Sequence, residues 1–459
     1  MKLLFFLGCI CLALFMSQSL SSCKKFKPFS QEHIYFSKDT VVFDTVFTTV
    51  GSTTQQFKIY NPSNKAVKIE EIELMGGTSS PFRMNVDGEK GTSIGEMVLE
   101  GKDSLFAFVE VTLSVNGQNL PLIIEDSIRF RTNGKDHYVK LAVWGQDAYF
   151  HYKDLNEGTW PNDKPHVIYG YAAVDSSKTL TIPAGTNIYM HKNALLYVYK
   201  GALQVQGMLN QEVVFQGDRL ESMYDEVPGQ YYGIYFHEAL PSSIDYAIIK
   251  NGTAGVHLFH EAPTNTGYTL QLTNTRIFNM SRYGVFIYSG AKVRAENCIV
   301  SRNETHALLV LEGGDFNFNH CNLLGYGSAK GPSVGISNYY SNPISGITNV
   351  GSIHEGTFSN CVLYGNNDFN LAIDTLHMSG VTLNFQFSNC LIRSDSVFSD
   401  PYFTNVLWNQ NPLFENTAQG DFLYLPNSPL NGNGLNTGLA LDIFGNPRQN
   451  PPDIGAVEL

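Results

Sequence analysis

A chain of 459 residues exceeds one ordinary core, so either two domains or one long repeat array is expected. Hydrophobic residues make up 43% and charged residues 16%, which excludes a disordered chain, and 30 Phe, 24 Tyr and 41 Gly favour strands joined by many turns. The net charge of −12, with no long Lys or Arg run in the body, excludes a nucleic-acid partner.

Residues 1–22 read as an export signal: Lys2 supplies the positive start, residues 3–15 are apolar, and small residues follow. The apolar run is shorter than the roughly 20 residues a spanning helix needs. It ends on Leu20-Ser21-Ser22-Cys23, which resembles the lipobox of bacterial lipoproteins. The resemblance implies cleavage before Cys23, acylation of Cys23, and a bilayer partner at the outer membrane. Residues 23–33 are then a tether. Lys24, Lys25 and Lys27 stand where that family's surface-export signal carries acidic residues, so both faces of the membrane stay open.

Residues 34–150 carry strand-like alternation at 40–46, 55–60, 67–74, 104–113, 126–131 and 137–144. Turn residues separate them, and Asn133-Gly134 between two alternating runs is a hairpin signal. About seven short strands predict a β-sandwich whose layout resembles the immunoglobulin-like modules of bacterial surface proteins. Residues 151–168, with Gly158 and Pro161, read as a linker.

From residue 169 to 400 short β-runs recur without helices. Residues 180–186 and 203–207 resemble the opening coils of right-handed parallel β-helix proteins, the pectate-lyase-like superfamily. Five segments then align, at 270–277, 293–300, 316–323, 356–363 and 385–392, with an earlier coil at 244–249 in register. Counted from Tyr246 through Asn274, Asn297, His320, Asn360 and Asn389, the spacings are 28, 23, 23, 40 and 29. A base near 23 with insertions suits a three-strand coil, and the longest spacing predicts a loop leaving the coil near 328–352.

A sharp corner between strands asks for a left-handed backbone, which Asn tolerates, and stacked Asn amides can hydrogen-bond along the array. The next residue, Thr275, Cys298, Cys321, Cys361 or Cys390, starts a strand and should face inward. The stacked thiols are expected as buried small apolar groups rather than as a disulfide. Their spacings of 23, 40 and 29, with no paired His, fit no zinc pattern.

The densest charged and aromatic stretch holds Asp218, Arg219, Glu221, Asp225, Glu226, Tyr231 and Tyr232, and is the candidate ligand face. His257, His260 and Glu261 form a second candidate, and Tyr339 and Tyr340 in the insertion are suited to stack on a sugar ring. No residue is assigned a catalytic role. No cofactor or metal is expected, Ca²⁺ entering only if the protein is a polysaccharide lyase.

Residues 401–459 read as final coils and a cap over the last strand edges. Asp442-Ile443-Phe444-Gly445-Asn446-Pro447-Arg448 and Pro452-Asp453-Ile454-Gly455-Ala456-Val457-Glu458 resemble the closing segment of exported bacterial β-helix proteins. The whole chain resembles uncharacterised Bacteroidetes lipoproteins with a sandwich before a β-helix. Asp-Thr/Ser-apolar triplets, such as Asp39-Thr40-Val41 and Asp395-Ser396-Val397, resemble that group's O-glycosylation signal. The expected function is a non-enzymatic envelope lipoprotein whose β-helix binds glycans or a partner protein. The alternative is a polysaccharide lyase or glycoside hydrolase.

Overall fold

The structure is a computed structural model that describes residues 29–114, 122–260, 267–327, 330–396 and 398–459. The signal, Cys23, the three lysines, Glu261 and Val397 lie outside the described residues. The chain divides into two compact units that change over between Gln146 and Asp147.

In the first unit two sheets enclose a core that includes Phe43, Phe57, Phe82 and Phe130. One sheet runs in the order Tyr35–Phe36, Gln55–Tyr60, Ser104–Val111, Phe82–Val86, Glu89–Gly91. The other runs Thr40–Phe47, Lys135–Gln146, Leu122–Thr132, Val67–Leu74, Ser93–Ile94, with Met97–Leu99 also on Val67–Leu74. Pairing is antiparallel except between Thr40–Phe47 and Lys135–Gln146. Asn133 (φ 53°) and Gly134 (φ 67°) close the hairpin in which Thr132 faces Lys135, the two positive φ values that a tight two-residue turn requires.

The second unit is a right-handed parallel β-helix. Its coils repeat three strands, for example Leu270–Thr273, Arg276–Phe278 and Tyr283–Tyr288, each bonded in parallel to its equivalent one coil on. The linker reading of 151–168 is corrected: Tyr149–Leu155 already pairs in parallel with His166–Val174. Stacking continues to Phe403–Thr404 and Leu407–Trp408. The predicted insertion is narrower than 328–352, because Val334–Ser337 is a coil strand. What leaves the coil is a hairpin in which Tyr339–Ser341 pairs with Thr348–Val350.

The corner column forms as expected. Tyr246, Asn274, Asn297, His320, Asn360 and Asn389 follow paired strands and have φ of 42°, 49°, 52°, 50°, 53° and 51°. Their side chains form an interrupted ladder. Asn297 donates to Asn274 (3.2 Å), and the Asn360 amide donates to His320 Nε2 (2.8 Å). The C-terminal segment accepts further hydrogen bonds from the same column. Asn389, Asn360 and Asn297 donate to the carbonyls of Asn433, Leu435 and Leu441, and Asn319 donates to Thr437. Read as a cap on the last strand edges, the tail is thus misplaced: it runs back along the flank and covers the asparagine corner.

Behind each corner Thr275, Cys298, Cys321, Cys361 and Cys390 are buried, and all four thiols are free. Each Sγ donates to a carbonyl two residues before it and to one in the preceding coil, at 3.3 to 3.6 Å. Burial pushes the thiols of Cys298, Cys321 and Cys361 well above the ordinary range. A thiolate-directed reagent is therefore expected to label none of the four in the folded protein and all four in guanidinium, counted by mass.

His320 stands where its neighbours have Asn. Its Nε2 accepts from Asn360, so the proton sits on Nδ1, which donates to the Gly455 carbonyl (3.2 Å). Burial first, and Arg448 second, lower its pKa to about 3. The unfolded chain therefore takes up this proton first. The contribution is complete above pH 6.5 and is lost as pH falls toward 3, about 2 kcal/mol of it by pH 5. Urea midpoints at pH 7 and pH 5 should differ less in His320→Asn than in the parent.

Candidate ligand face

The third strand of each coil points alternate side chains into the core and outward. Inward lie Val198, Phe236, Leu258, Ile287 and Val310, all buried. Outward, one row across successive coils reads Tyr197, Tyr235, His257, Phe286, Leu309 and Gly335. A second reads Tyr199, His237, Phe259, Tyr288 and Leu311. Parallel pairing holds strands about 4.8 Å apart, so rings in register lie in contact.

Centroids in the first row are 5.5, 4.4 and 4.6 Å apart from Tyr197 to Phe286. In the second they are 5.4, 5.1 and 5.6 Å apart from Tyr199 to Tyr288. All eight rings are half-buried. Tyr232 flanks the strip and its hydroxyl bonds His257 Nδ1 at 2.7 Å, while Tyr283 lies 4.9 Å from Phe286.

Burial lowers the His257 pKa to about 4 and raises those of Tyr235 and Tyr288 to about 12, so these rings are neutral near pH 7. At the margin of the strip Lys200 pairs with Glu238 at 2.9 Å and Lys292 with Asp315 at 3.2 Å. His257 Nε2 is buried with no hydrogen-bond partner among the described residues.

The charged stretch singled out in the sequence does not form one face. Asp218 accepts from His191 at 2.7 Å, and His191 packs on Tyr169. Arg219 is bidentate to Glu221 and stacks on Tyr224. Glu226 pairs with Arg302 at 2.8 Å, and Asp225 uses its carbonyl to accept from Asn251. Tyr231 is corrected outright: it is a core residue, 1% exposed, whose hydroxyl donates to the carbonyls of Phe215 and Lys250. Of that group Tyr232 alone bonds a ring of the strip. His257 belongs to the strip, and Tyr340 meets Tyr288 edge-on at 6.4 Å.

Sequence reading missed the strip because only the asparagine-bearing strand was aligned. The signal was present as alternate aromatics at 197/199, 235/237, 257/259 and 286/288. Among the described residues no group of three or more His, Cys, Asp or Glu side chains is placed to hold a metal ion.

Comparison with known proteins bears on the fold. Residues 185–323 match the family model described as the right handed beta helix region. No curated protein matches the chain. Among solved structures, the catalytic unit of a thermostable GH87 alpha-1,3-glucanase from Streptomyces thermodiastaticus is 11% identical, with 77% of this chain and 88% of that one covered at a TM-score of 0.21. A family 123 glycoside hydrolase from Clostridium perfringens is 7% identical over 26% of this chain at 0.19, and this chain spans 30% of its length. PapD-like domain 7 of human CEP192 is 12% identical, with 28% of this chain and 96% of that one covered at 0.17. Similarity this low says nothing of activity. The chain is an all-β protein built on a right-handed parallel β-helix.

Proposed function

We propose that the protein is an envelope lipoprotein, anchored through Cys23, that binds an uncharged glycan on the outward aromatic strip of its β-helix. The strip carries this reading: eight rings in contact along one face, from strands whose other side chains fill the core. The apolar C–H edges of the rings match the apolar faces of sugars, and the rigid coil fixes them before binding, which lowers the ordering cost. A net charge of −12 opposes polyanions. The anchor rests on Leu20-Ser21-Ser22-Cys23.

The test is calorimetry of the full chain in detergent against neutral and acidic polysaccharides. The expected result is binding of a neutral polymer, weakened roughly tenfold, about 1.4 kcal/mol, by Tyr235→Ala. Unchanged binding in Tyr235→Ala, or preference for a polyanion, overturns the reading. Labelling with a radioactive fatty acid, lost in Cys23→Ser, tests the anchor.

A hydrolytic reading is favoured by one place, a cavity that both Glu312 and Asp315 line. Glycoside hydrolysis uses two carboxyl groups. New reducing ends from a bound polymer, absent with Glu312→Gln while binding persists, would establish it.

A further inference from the structure

The two faces of the hairpin after Ser337 are unequal. Its tip carries the exposed Ile344 and Ile347, while Tyr340 lies edge-on against Tyr288 at 6.4 Å. The strand from which it leaves, Val334–Ser337, is two coils beyond Tyr283–Tyr288. The hairpin therefore folds back over the intervening coil, the one that carries Leu309 and Leu311, where the aromatic rows give way to leucine. It stands as a wall across that end of the strip.

At its base is a cavity of about 350 Å³ bordered by Ser289, Lys292, Glu312, Asp315 and His354, with the backbone of 350–352 on the hairpin side. Ser289 and Glu312 directly follow Tyr288 and Leu311, so the cavity adjoins the second aromatic row. Asp315 is committed to its own fold: it accepts from the amides of His354 (2.8 Å) and Glu355 (3.2 Å) and pairs with Lys292. Glu312 is held more loosely. One oxygen is 3.4 Å from the Ser289 hydroxyl, and the other is buried without a close hydrogen-bond partner among the described residues. The Tyr288 hydroxyl at the end of the aromatic row feels the carboxylate, which adds to burial in raising its pKa. A buried carboxylate oxygen without a donor is rare in folded proteins, and a ligand hydroxyl would satisfy it.

We infer that the hairpin and this cavity make the strip a chain-end site: the terminal sugar of an uncharged linear glycan enters the cavity, donates a hydroxyl to Glu312, and is stopped by the hairpin. This rests on the strip as the glycan-binding face. The rest of the glycan then lies over the rings from Tyr288 back toward Tyr197. An interior stretch of a long polymer has no such fit, because its continuation would have to pass through Tyr340 and the strand pair behind it.

The test uses the full chain in detergent and glucan oligosaccharides of several linkages, each beside its parent polymer and beside the same oligosaccharide with O-methylated terminal hydroxyls. Oligosaccharides are expected to outbind their parent polymer at equal sugar mass, in proportion to chain ends, and terminal methylation is expected to weaken them at least tenfold. Glu312→Gln should lose most of the penalty for methylation while keeping its urea midpoint. Replacing 339–350, Tyr340 included, by a two-residue Gly turn between Asn338 and Gly351, whose backbones already bond, should abolish the preference for ends and raise polymer binding. Binding that follows sugar mass, with methylation, Glu312→Gln and the shortened hairpin all without effect, overturns the inference while Tyr235→Ala still weakens binding. If no glucan binds the parent chain, the inference falls together with the strip reading.

Discussion

Replacing Arg448 by methionine is expected to destabilise the β-helix unit by about 3–5 kcal/mol, the range seen when one partner of a buried ion pair is removed. Arg448 and Glu458 are 2% and 1% exposed, with the guanidinium 3.2 Å from the carboxylate. The same guanidinium donates to Asn297 Oδ1 (2.8 Å) and to the Gly455 carbonyl (3.2 Å), so it ties the tail to the asparagine corner. Glu458 in turn accepts from the amides of Gln449 (2.8 Å) and Asp453 (3.0 Å). Methionine fills much of the space but leaves the Glu458 charge buried without a counterion. In urea titrations the midpoint should fall sharply, and Arg448→Met with Glu458→Gln should recover a large part of the loss. Hydrogen exchange should speed first at the amides of Gly434 and Gly455, which bond Pro452 and Asn360. A tail that frays in Arg448→Met with the urea midpoint unmoved would mean that it is an ornament on the stack.

That tail also marks a limit of what the sequence conveys. Its segments resemble a closing element, and the expectation of a terminal cap was natural for a stack with open edges. Yet the last stacked strands, Phe403–Thr404 and Leu407–Trp408, are two residues each, which already blunts the edge. The unmet demand was at the flank. Each amide of the column has two N–H groups and bonds a column neighbour with at most one, and Leu435 and Leu441 take the second from Asn360 and Asn297. Those partners are 75 and 144 residues away, beyond any local pattern.

The corner column was legible because one residue type recurred. Two further columns of left-handed residues were not. One holds Asn251, Asn279 and Arg302, with φ of 68°, 60° and 52°, and the other holds Lys200, Glu238, Ser289 and Glu312, with φ from 48° to 60°. Asn251 and Asn279 suit that region, but Lys, Glu and Arg have no preference for it, so at those positions the turn is imposed by the pairing of strands on both sides and leaves no compositional trace. The ligand face failed for a related reason. Charge density drew attention to 218–226, but Arg219 and Glu221, and Glu226 and Arg302, satisfy each other. Rings on alternate positions of a neighbouring strand carry little local contrast with core residues. They become a strip only when coils are laid in register.

Phe387→Ala is expected to cost about 3–5 kcal/mol, at the upper end for core truncations. One interior column runs Ile182, Val205, Ile244, Leu272, Ala295, Phe318, Phe358, Phe387 and Phe403, each paired with the next. Its last four members are rings whose centroids are 5.6, 4.9 and 4.6 Å apart. A globular core relaxes into a vacated space by shifting its elements. Here each coil is held by backbone bonds to both neighbours, as Asn360 N is to Ser388 O and Asn389 N to Thr404 O (both 3.0 Å), so collapse would break those ladders. The cavity should stay open, and the cost should exceed that of the same truncation at Phe403, which is half-buried on the final coil. Urea midpoints of the two variants measure the difference. Equal losses would mean that the stack compresses around a gap, and that its registers are softer than the ladders imply. The opposite result, a Phe387→Ala protein whose final coil exchanges its Asn389 and Leu407 amides early while the rest holds, would show the column acting as the pin that seats each new coil on the last.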